Sequence, residues 1–447
     1  MKKSFLLISL AALMFLFSCK KDEETNPFNV DYTQETVEQS KANVEQNAVD
    51  MVGQLDGLAS AQGIKVLLHL NELQSTQPVK SLPEGTFLEP LSMISTLGDK
   101  SNINKVFEGM KGASAQFEED PLAVSALFDS IAGRYTYNFE TGEFDKSELA
   151  DKVVIEFPGM EGDLTNTAVI TVDNFTVAEI SNPIEQWPSG LAPELPASIK
   201  IALTYNGLDL AGASFDATYK SDGMPTSVKV ELYVDDFTLT MKVVHDPYSS
   251  ASYTTTLKLK DDILFEVYLA AEGDWSAENI DASIEEVQYT DDNGTWTDTQ
   301  THIEEIINNA NAHVILMNLK VLGKVNVKVL GDTIWSLDER RDLISEEQYT
   351  QAAADAINAN AELIVIYRDS NTKIAEAEAY VESYFDDYSQ EYEYYVAMRF
   401  VYADGSKVDV ETYVNDELDN FYTAMNDFID KLNTEYDLNL NYIGPAK

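Results

Sequence analysis

The sequence predicts an α+β protein: helices on the N-terminal side, then a long antiparallel β-meander forming one curved sheet, then a C-terminal mixture of helices and hairpins. Three observations predict it. Apolar residues recur at helical spacing between Val37 and Ile131; the period drops to two at Arg134; and from there turn signals part the alternating runs by only a few residues. Connections that short join antiparallel neighbours, because a parallel crossover needs about a dozen residues or more.

Residues 33–133 read as mainly helical. Val37, Val44, Met51 and Leu58 repeat every seven residues, with Ala48 and Leu55 completing the stripe and Gly63 as the expected stop. A second helix is expected over Ile64–Gln74, followed by a stretch broken by Pro78, Pro83 and Pro90. Asp120-Pro121 has the chemistry of an N-cap and first-turn proline, opening a helix through Leu127, Phe128 and Ile131 to Gly133.

Residues 134–301 read as the meander. Tyr135, Tyr137 and Phe139 share a face before the turn at Glu140–Glu143; Val153, Ile155 and Phe157 repeat the alternation. Ile199, Ile201, Leu203 and Tyr205 lead into Asn206-Gly207, the strongest short hairpin signal in the chain. Val228–Val234, Phe237–Met241, Leu257–Leu259 and Leu264–Leu269 follow, and Asp291-Asp292-Asn293-Gly294 closes another hairpin. That acidic turn lacks the ligand spacing of a calcium loop.

Residues 302–447 read as an α+β segment, either separate or continuous with the meander. A short helix is expected over Ile303–Ala310, a strand over Val325, Val327 and Val329, and a helix from the Ser345–Gln348 capping box to about Ala361. Glu362–Arg368 reads as a strand and the Ala- and Glu-rich Thr372–Glu382 as a helix. A hairpin pairing Tyr394–Tyr402 with Lys407–Val414 through Asp404-Gly405 and an amphipathic helix over Leu418–Leu432 complete the chain.

The first residues set the expected destination. Lys2 and Lys3 precede an apolar run from Phe5 to Phe17 interrupted only by Ser9, the pattern of a secretory signal. As a helix those residues rise about 20 Å, short of the roughly 30 Å hydrocarbon core. Leu16-Phe17-Ser18-Cys19 resembles a bacterial lipobox, and Lys20-Lys21-Asp22-Glu23-Glu24 resembles the acidic export signal of surface lipoproteins of Bacteroidetes-type bacteria. The resemblance implies cleavage after residue 18, acyl chains such as palmitate on Cys19, a lipidated acidic tether over 19–32, and anchorage in the outer membrane. It implies display at the cell surface, with the periplasmic face as the alternative. It implies no activity.

Composition excludes several chemistries. Cys19 is the one cysteine, so the body has no internal disulfide, thiolate metal site or cysteine nucleophile. Residues 1–18 hold two of the 30 Lys and Arg and none of the 77 acids, so their removal takes the formal charge from −47 to −49. A surface that acidic repels nucleic acid and anionic head groups. His69, His245, His302 and His313 show no metal-ligand spacing, and no glycine-rich phosphate loop or G-x-S-x-G elbow occurs, so neither metal nor cofactor is expected. Ser370–Lys373 matches S-x-x-K without an accompanying K-T-G and reads as a helix cap.

One stretch stands out for ligand binding. Between Tyr384 and Tyr395 lie five tyrosines, Phe385 and four acids, and exposed aromatics beside carboxylates suit the apolar faces and hydroxyls of sugars. Tyr384, Tyr388, Tyr392 and Tyr394 are the candidates, with cross-strand aromatic packing as the competing explanation. The expected function is a non-enzymatic envelope lipoprotein binding a glycan, lipid or protein; a surface carboxylate-dependent glycoside hydrolase is the alternative, since 77 acids supply many pairs at the required spacing. A lipid carrier is a third idea, because a meander folded over helices encloses apolar surface.

Overall fold

Strands of period-two alternation, joined by tight turns, pair in nearly sequential order into one open sheet. The computed structural model describes residues 27–76, 124–181, 194–291, 294–386, 388, 390–436 and 438–444. The chain begins with α1 (Val37–Leu55) and α2 (Gln62–Thr76), and α3 (Val124–Ile131) leads into the sheet. There follow β1 (Gly133–Asn138), β2 (Glu143–Ser147), β3 (Val153–Phe157), β4 (Ala168–Glu179), β5 (Glu194–Tyr205), β6 (Leu208–Tyr219), β7 (Pro225–Val234), β8 (Phe237–Asp246), β9 (Ser250–Leu259) and β10 (Asp262–Gly273). After α4 (Ala277–Ala282), β11 (Ile284–Asp291) and β12 (Gly294–Thr301) form a separate two-stranded ribbon.

The one-turn α5 (Ile303–Ile306) returns the chain to β13 (Ile307–Leu316), which pairs with β10, and β14 (Leu319–Asn326). Next come α6 (Val327–Asp338), α7 (Glu346–Asn360), β15 (Ala361–Tyr367), β16 (Thr372–Asp386), β17 (Glu391–Tyr402), β18 (Lys407–Asp409), α8 (Val410–Asp416) and α9 (Asp419–Tyr436). The sheet has 16 strands in the order β18-β17-β16-β15-β14-β13-β10-β9-β8-β7-β6-β5-β4-β3-β1-β2. It is the expected α+β meander, with one parallel neighbour: β2 folds back outside β1, so β3 lies parallel to β1.

The two faces of this sheet differ. On the inner face, a cross-strand row of Tyr135, Ile155, Ile170 and Leu203 is fully buried beneath Val66 and Leu70 of α2 and Phe128 and Ile131 of α3. Met51, Val52 and Leu55 of α1 and Phe428 of α9 cover Leu257, Phe265 and Leu316 at one end of the central strands. At the other end Trp275, Ile280 of α4 and Leu330 of α6 pack with Ala271, Ala310 and Val325. Val37 and Val44 of α1 reach Val365 and Ala375. The outer face of the central strands carries Thr, Lys and Glu, such as the partly exposed Lys229, Glu231 and Thr240.

Caps and turns fix the helices against the sheet. Thr36 and Gln39 form a capping box on α1, and Ser345 and Gln348 form the expected one on α7. Gly63 begins α2 rather than ending a helix. The Asp235 carboxylate, in the β7–β8 turn, accepts from the backbone N–H of Gln62 and Gly63 at 2.8 and 3.2 Å. That contact satisfies two of the donors a helix start leaves open.

Five expectations in the C-terminal third are corrected. Thr372–Glu382 is strand, not helix: the helix preference of Ala and Glu is worth tenths of a kcal/mol per residue, and pairing on β15 and β17 overrides it. Because no helix starts there, Ser370 is a turn residue, its Oγ 2.7 Å from Thr372 Oγ1. Val327 and Val329 belong to α6, since Asn326 ends β14 and accepts from Val329 N at 3.1 Å as an N-cap. The helix expected to Ala310 stops at Ile306, and the strand expected to Val414 stops at Asp409, which caps α8 through Thr412 N.

Candidate functional site

Among the described residues, no helix is packed on the centre of the inner face in the way that α2 and α3 are packed beside it. Phe215, Val230, Met241, Thr255, Val267 and Val314 face one another directly from β6 to β13, a single row across six strands. All six are half-buried, and Val243 in the neighbouring row is 40 % exposed. The comparable row beneath α2 and α3 is closed to solvent, so the difference lies in what covers the sheet and not in the strands. Thr255, the one polar side chain in the row, donates to the Tyr253 hydroxyl beside it.

Walls surround this floor: the α1–α9 layer at one end, the Trp275–α6 layer at the other, and the α2–α3 core beyond β6. Six strands span about 24 Å at roughly 4.8 Å per spacing, and two residue pairs along a strand about 14 Å, giving an apolar floor on the order of 300 Å². Patches of about 300–600 Å² are the largest that monomeric surfaces ordinarily show, and they are often functional. The sequence displayed the alternation that builds this floor. Which strands lack a covering helix is a property of the packing.

The tyrosine-rich stretch forms the β16–β17 hairpin and its turn, and its four candidates divide between two faces. Tyr384 is on the outer face, where its hydroxyl donates to Glu393 and its ring lies 6.1 Å from that of Tyr395. Tyr392 and Tyr394 are on the inner face, Tyr394 half-buried opposite Ser383 and Tyr392 exposed opposite Phe385. Tyr388 is in the turn, 98 % exposed. Tyr384 is therefore on the opposite face from Tyr392 and Tyr394, and Phe385, across from Tyr392, shares their face. Cys19 and residues 20–26 lie outside the described residues, whereas the end of the stretch expected as a tether over 19–32 is part of the fold: Phe28 and Val30 pack against Leu322, Ile364 and Ile366, and Tyr32 bridges to Lys373.

Five carboxylates are held by hydrogen bonds that lower them. On the outer face of the ribbon Glu378 accepts from Lys407 Nζ at 2.6 Å and from Arg399, and these bonds hold it below the usual carboxylate range. Asp246, Asp274 and Asp404 are likewise held low by hydrogen bonds within their turns. Glu266 is pushed up by burial, but hydrogen bonds from His313 and Thr256 outweigh this and hold it low. Tyr380 and Tyr395 keep their protons well into alkali, Tyr395 pushed up to about 12, because burial and the neighbouring carboxylates disfavour phenolate.

His313 and Glu266 form a further cluster that spacing could not reveal, because β10 and β13 bring together residues on either side of the β11–β12 ribbon. The neighbouring Tyr268 ring stacks 5.0 Å from the imidazole. Among the described residues no group of three or more His, Cys, Asp or Glu is placed to hold a metal ion, and no helix is long and apolar enough to cross a membrane. The chain matches no protein-family model, no curated protein and no solved structure.

Proposed function

We propose that this protein is a lipid-anchored, non-enzymatic component of the cell envelope that binds a neutral or zwitterionic amphiphile on the open inner face of β6–β13. In this reading, acyl chains on Cys19 hold it to the outer membrane, with the acidic tether favouring the cell surface. The observation supporting the binding role is the half-exposed row from Phe215 to Val314, walled by helices on the same face that is fully buried elsewhere.

Dimensions and charge select the ligand. A floor on the order of 300 Å² is well below the roughly 800 Å² per partner of a stable protein interface. It is long enough for the acyl chain of one leaflet, about half of a ~30 Å hydrocarbon core. Burying about ten methylenes at about 0.8 kcal/mol each gives about 8 kcal/mol, micromolar affinity before the costs of ordering. A net charge of −47 disfavours an anionic head group.

Titration of the chain lacking residues 1–18, with Cys19→Ser, against lysophosphatidylcholine in native mass spectrometry tests the reading. Saturable one-to-one binding is expected, weakened at least tenfold by Met241→Glu. Absence of binding, or equal binding by the variant, rules out the inner face as the site.

A further inference from the structure

A second surface carries an independent inference. β15 pairs with β16 only as far as Glu376, and β18 pairs with β17 only as far as Arg399. Beyond those residues β16 and β17 continue together as a ribbon, which the side chain of Asn358 contacts at Ala379. At about 3.3 Å per residue the ribbon then runs on for roughly 20 Å to its turn. At its tip Phe385 and Tyr392 lie directly opposite each other, ring centroids 5.4 Å apart and nearly perpendicular, yet 46 and 61 % exposed.

Tyr388 lies in the turn just beyond this pair, its side chain almost wholly exposed. Asp386 accepts from Tyr388 N at 3.2 Å and from Gln390 N, through its backbone carbonyl, at 2.8 Å, so the turn presenting the ring is held at both sides. Gln390 reverses the chain with φ +57°. Three large aromatic side chains at the end of a hydrogen-bonded ribbon expose apolar area that packing within the fold does not use. Tyrosine gives such area with little entropy to lose on binding.

We propose that Phe385, Tyr388 and Tyr392 form a binding platform for uncharged sugar rings. The local charge points to this class. From Ser383 to Tyr394 there are four acids and no Lys or Arg, so anionic head groups, phosphates and acidic polysaccharides are repelled. Neutral pyranose rings instead offer apolar C–H faces to the aromatics and carry no charge for the acids to repel. Three side chains are too few for the roughly 800 Å² that a stable protein partner buries.

Affinity electrophoresis of the chain lacking residues 1–18, in native gels containing dextran, laminarin, xyloglucan or galactomannan, tests the platform. At least one polysaccharide is expected to retard the protein. Tyr388→Ala should reduce the retardation at least threefold and Tyr388→Trp should preserve it, while Tyr248→Ala, at an exposed turn elsewhere, should leave it unchanged. Because the Tyr388 side chain is almost wholly exposed, its removal costs no packing and the fold is retained. No retardation by any of the four, or equal retardation of Tyr388→Ala, overturns the proposal. Loss of phosphatidylcholine-vesicle binding in Tyr388→Ala, with no polysaccharide bound, also overturns it and assigns the tip to a membrane surface.

Discussion

Asn358, near the end of α7, makes a two-way bond to the backbone of Ala379: its Nδ2 donates to Ala379 O and its Oδ1 accepts from Ala379 N, each at 2.8 Å. A strand neighbour would satisfy the same two groups. β15 has left the ladder by this point, and one amide side chain stands in for it. Ala379 is buried but Asn358 itself is exposed, so water reaches the freed N–H and C=O once the amide is gone. Asn358→Ala should therefore destabilise the fold by roughly 1–3 kcal/mol in urea denaturation, at about 0.5–1.5 kcal/mol for each of the two hydrogen bonds lost. Asn358→Asp, which keeps only the acceptor, should be intermediate. A variant as stable as wild type would mean the ribbon finds another partner.

His313 Nε2 lies 2.9 Å from Glu266 Oε1, and Thr256 Oγ1 donates to the other carboxylate oxygen at 2.8 Å. Burial lowers His313 below its ordinary 6.5, with the Glu266 hydrogen bond opposing the shift and nearby Lys320 adding to it. Glu266 is lowered from 4.5 despite its burial. Both groups bind fewer protons folded than unfolded, so each contributes stability that is present above its unfolded pKa and lost as pH falls through its folded one. His313 acts first, below about pH 6.5, and Glu266 follows below about 4.5. Thermal midpoints should fall between about pH 7 and pH 5, and His313→Gln should flatten that fall. A parallel slope in the variant would place the titration elsewhere.

The period-two runs from Val153 to Leu269 and their turns were legible because each strand shows its alternation locally and Asn206-Gly207 or Asp222-Gly223 marks the reversal. Farther on, the β13–β14 reversal uses Met317 at φ +53° followed by Asn318, with no glycine to announce it. Thr372–Glu382 read as helix because Ala and Glu favour helices, and nothing local reports that β17 will pair along its length. The aromatic tip was legible as composition, but whether Tyr384 or Phe385 shares a face with Tyr392 depends on hairpin register. The open floor was not legible, since Met241 and Ile170 belong to similar alternating runs and differ only in what packs above them.

Asn206 and Gly207 have φ +51° and +80°, both left-handed, in the two-residue loop joining Tyr205 to Leu208. A Cβ at Gly207 meets nothing within 4 Å, so a substitution there reports backbone strain alone. Gly207→Val should cost roughly 1–2 kcal/mol. Gly142, in the longer turn between β1 and β2, has φ +74°, so Gly142→Val should be strained as well. Differential scanning calorimetry of the two variants checks both values, and an unchanged midpoint in Gly207→Val would contradict the left-handed turn.

The contrast along the inner face predicts opposite tolerance at two apolar positions. Ile170 has no solvent exposure within the α2–α3 core, and Ile170→Ala should cost about 2–5 kcal/mol through lost transfer energy and a cavity. Met241 is half-exposed on the open floor, and Met241→Ser should cost under about 1 kcal/mol. Urea midpoints of the two variants decide it. A comparable loss at Met241 would show that something covers the floor in solution, and amphiphile binding there would lose its physical basis.

The proposed lipid anchor is testable at Cys19. With Cys19 the only cysteine, the chain has one acceptor for a thioether-linked diacylglycerol. Two or more acyl chains hold a protein at a membrane where a single chain binds only marginally. Cys19→Ser should abolish labelling by radioactive palmitate and move the protein from the membrane fraction to the soluble fraction. If Asp22-Glu23-Glu24 directs export to the surface, protease added to intact cells should digest the wild type, and replacing all three with alanine should protect it. Labelling retained in Cys19→Ser would exclude lipidation at this residue. A labelled wild type that intact cells shield would keep the anchor and assign the binding surfaces to the periplasmic side.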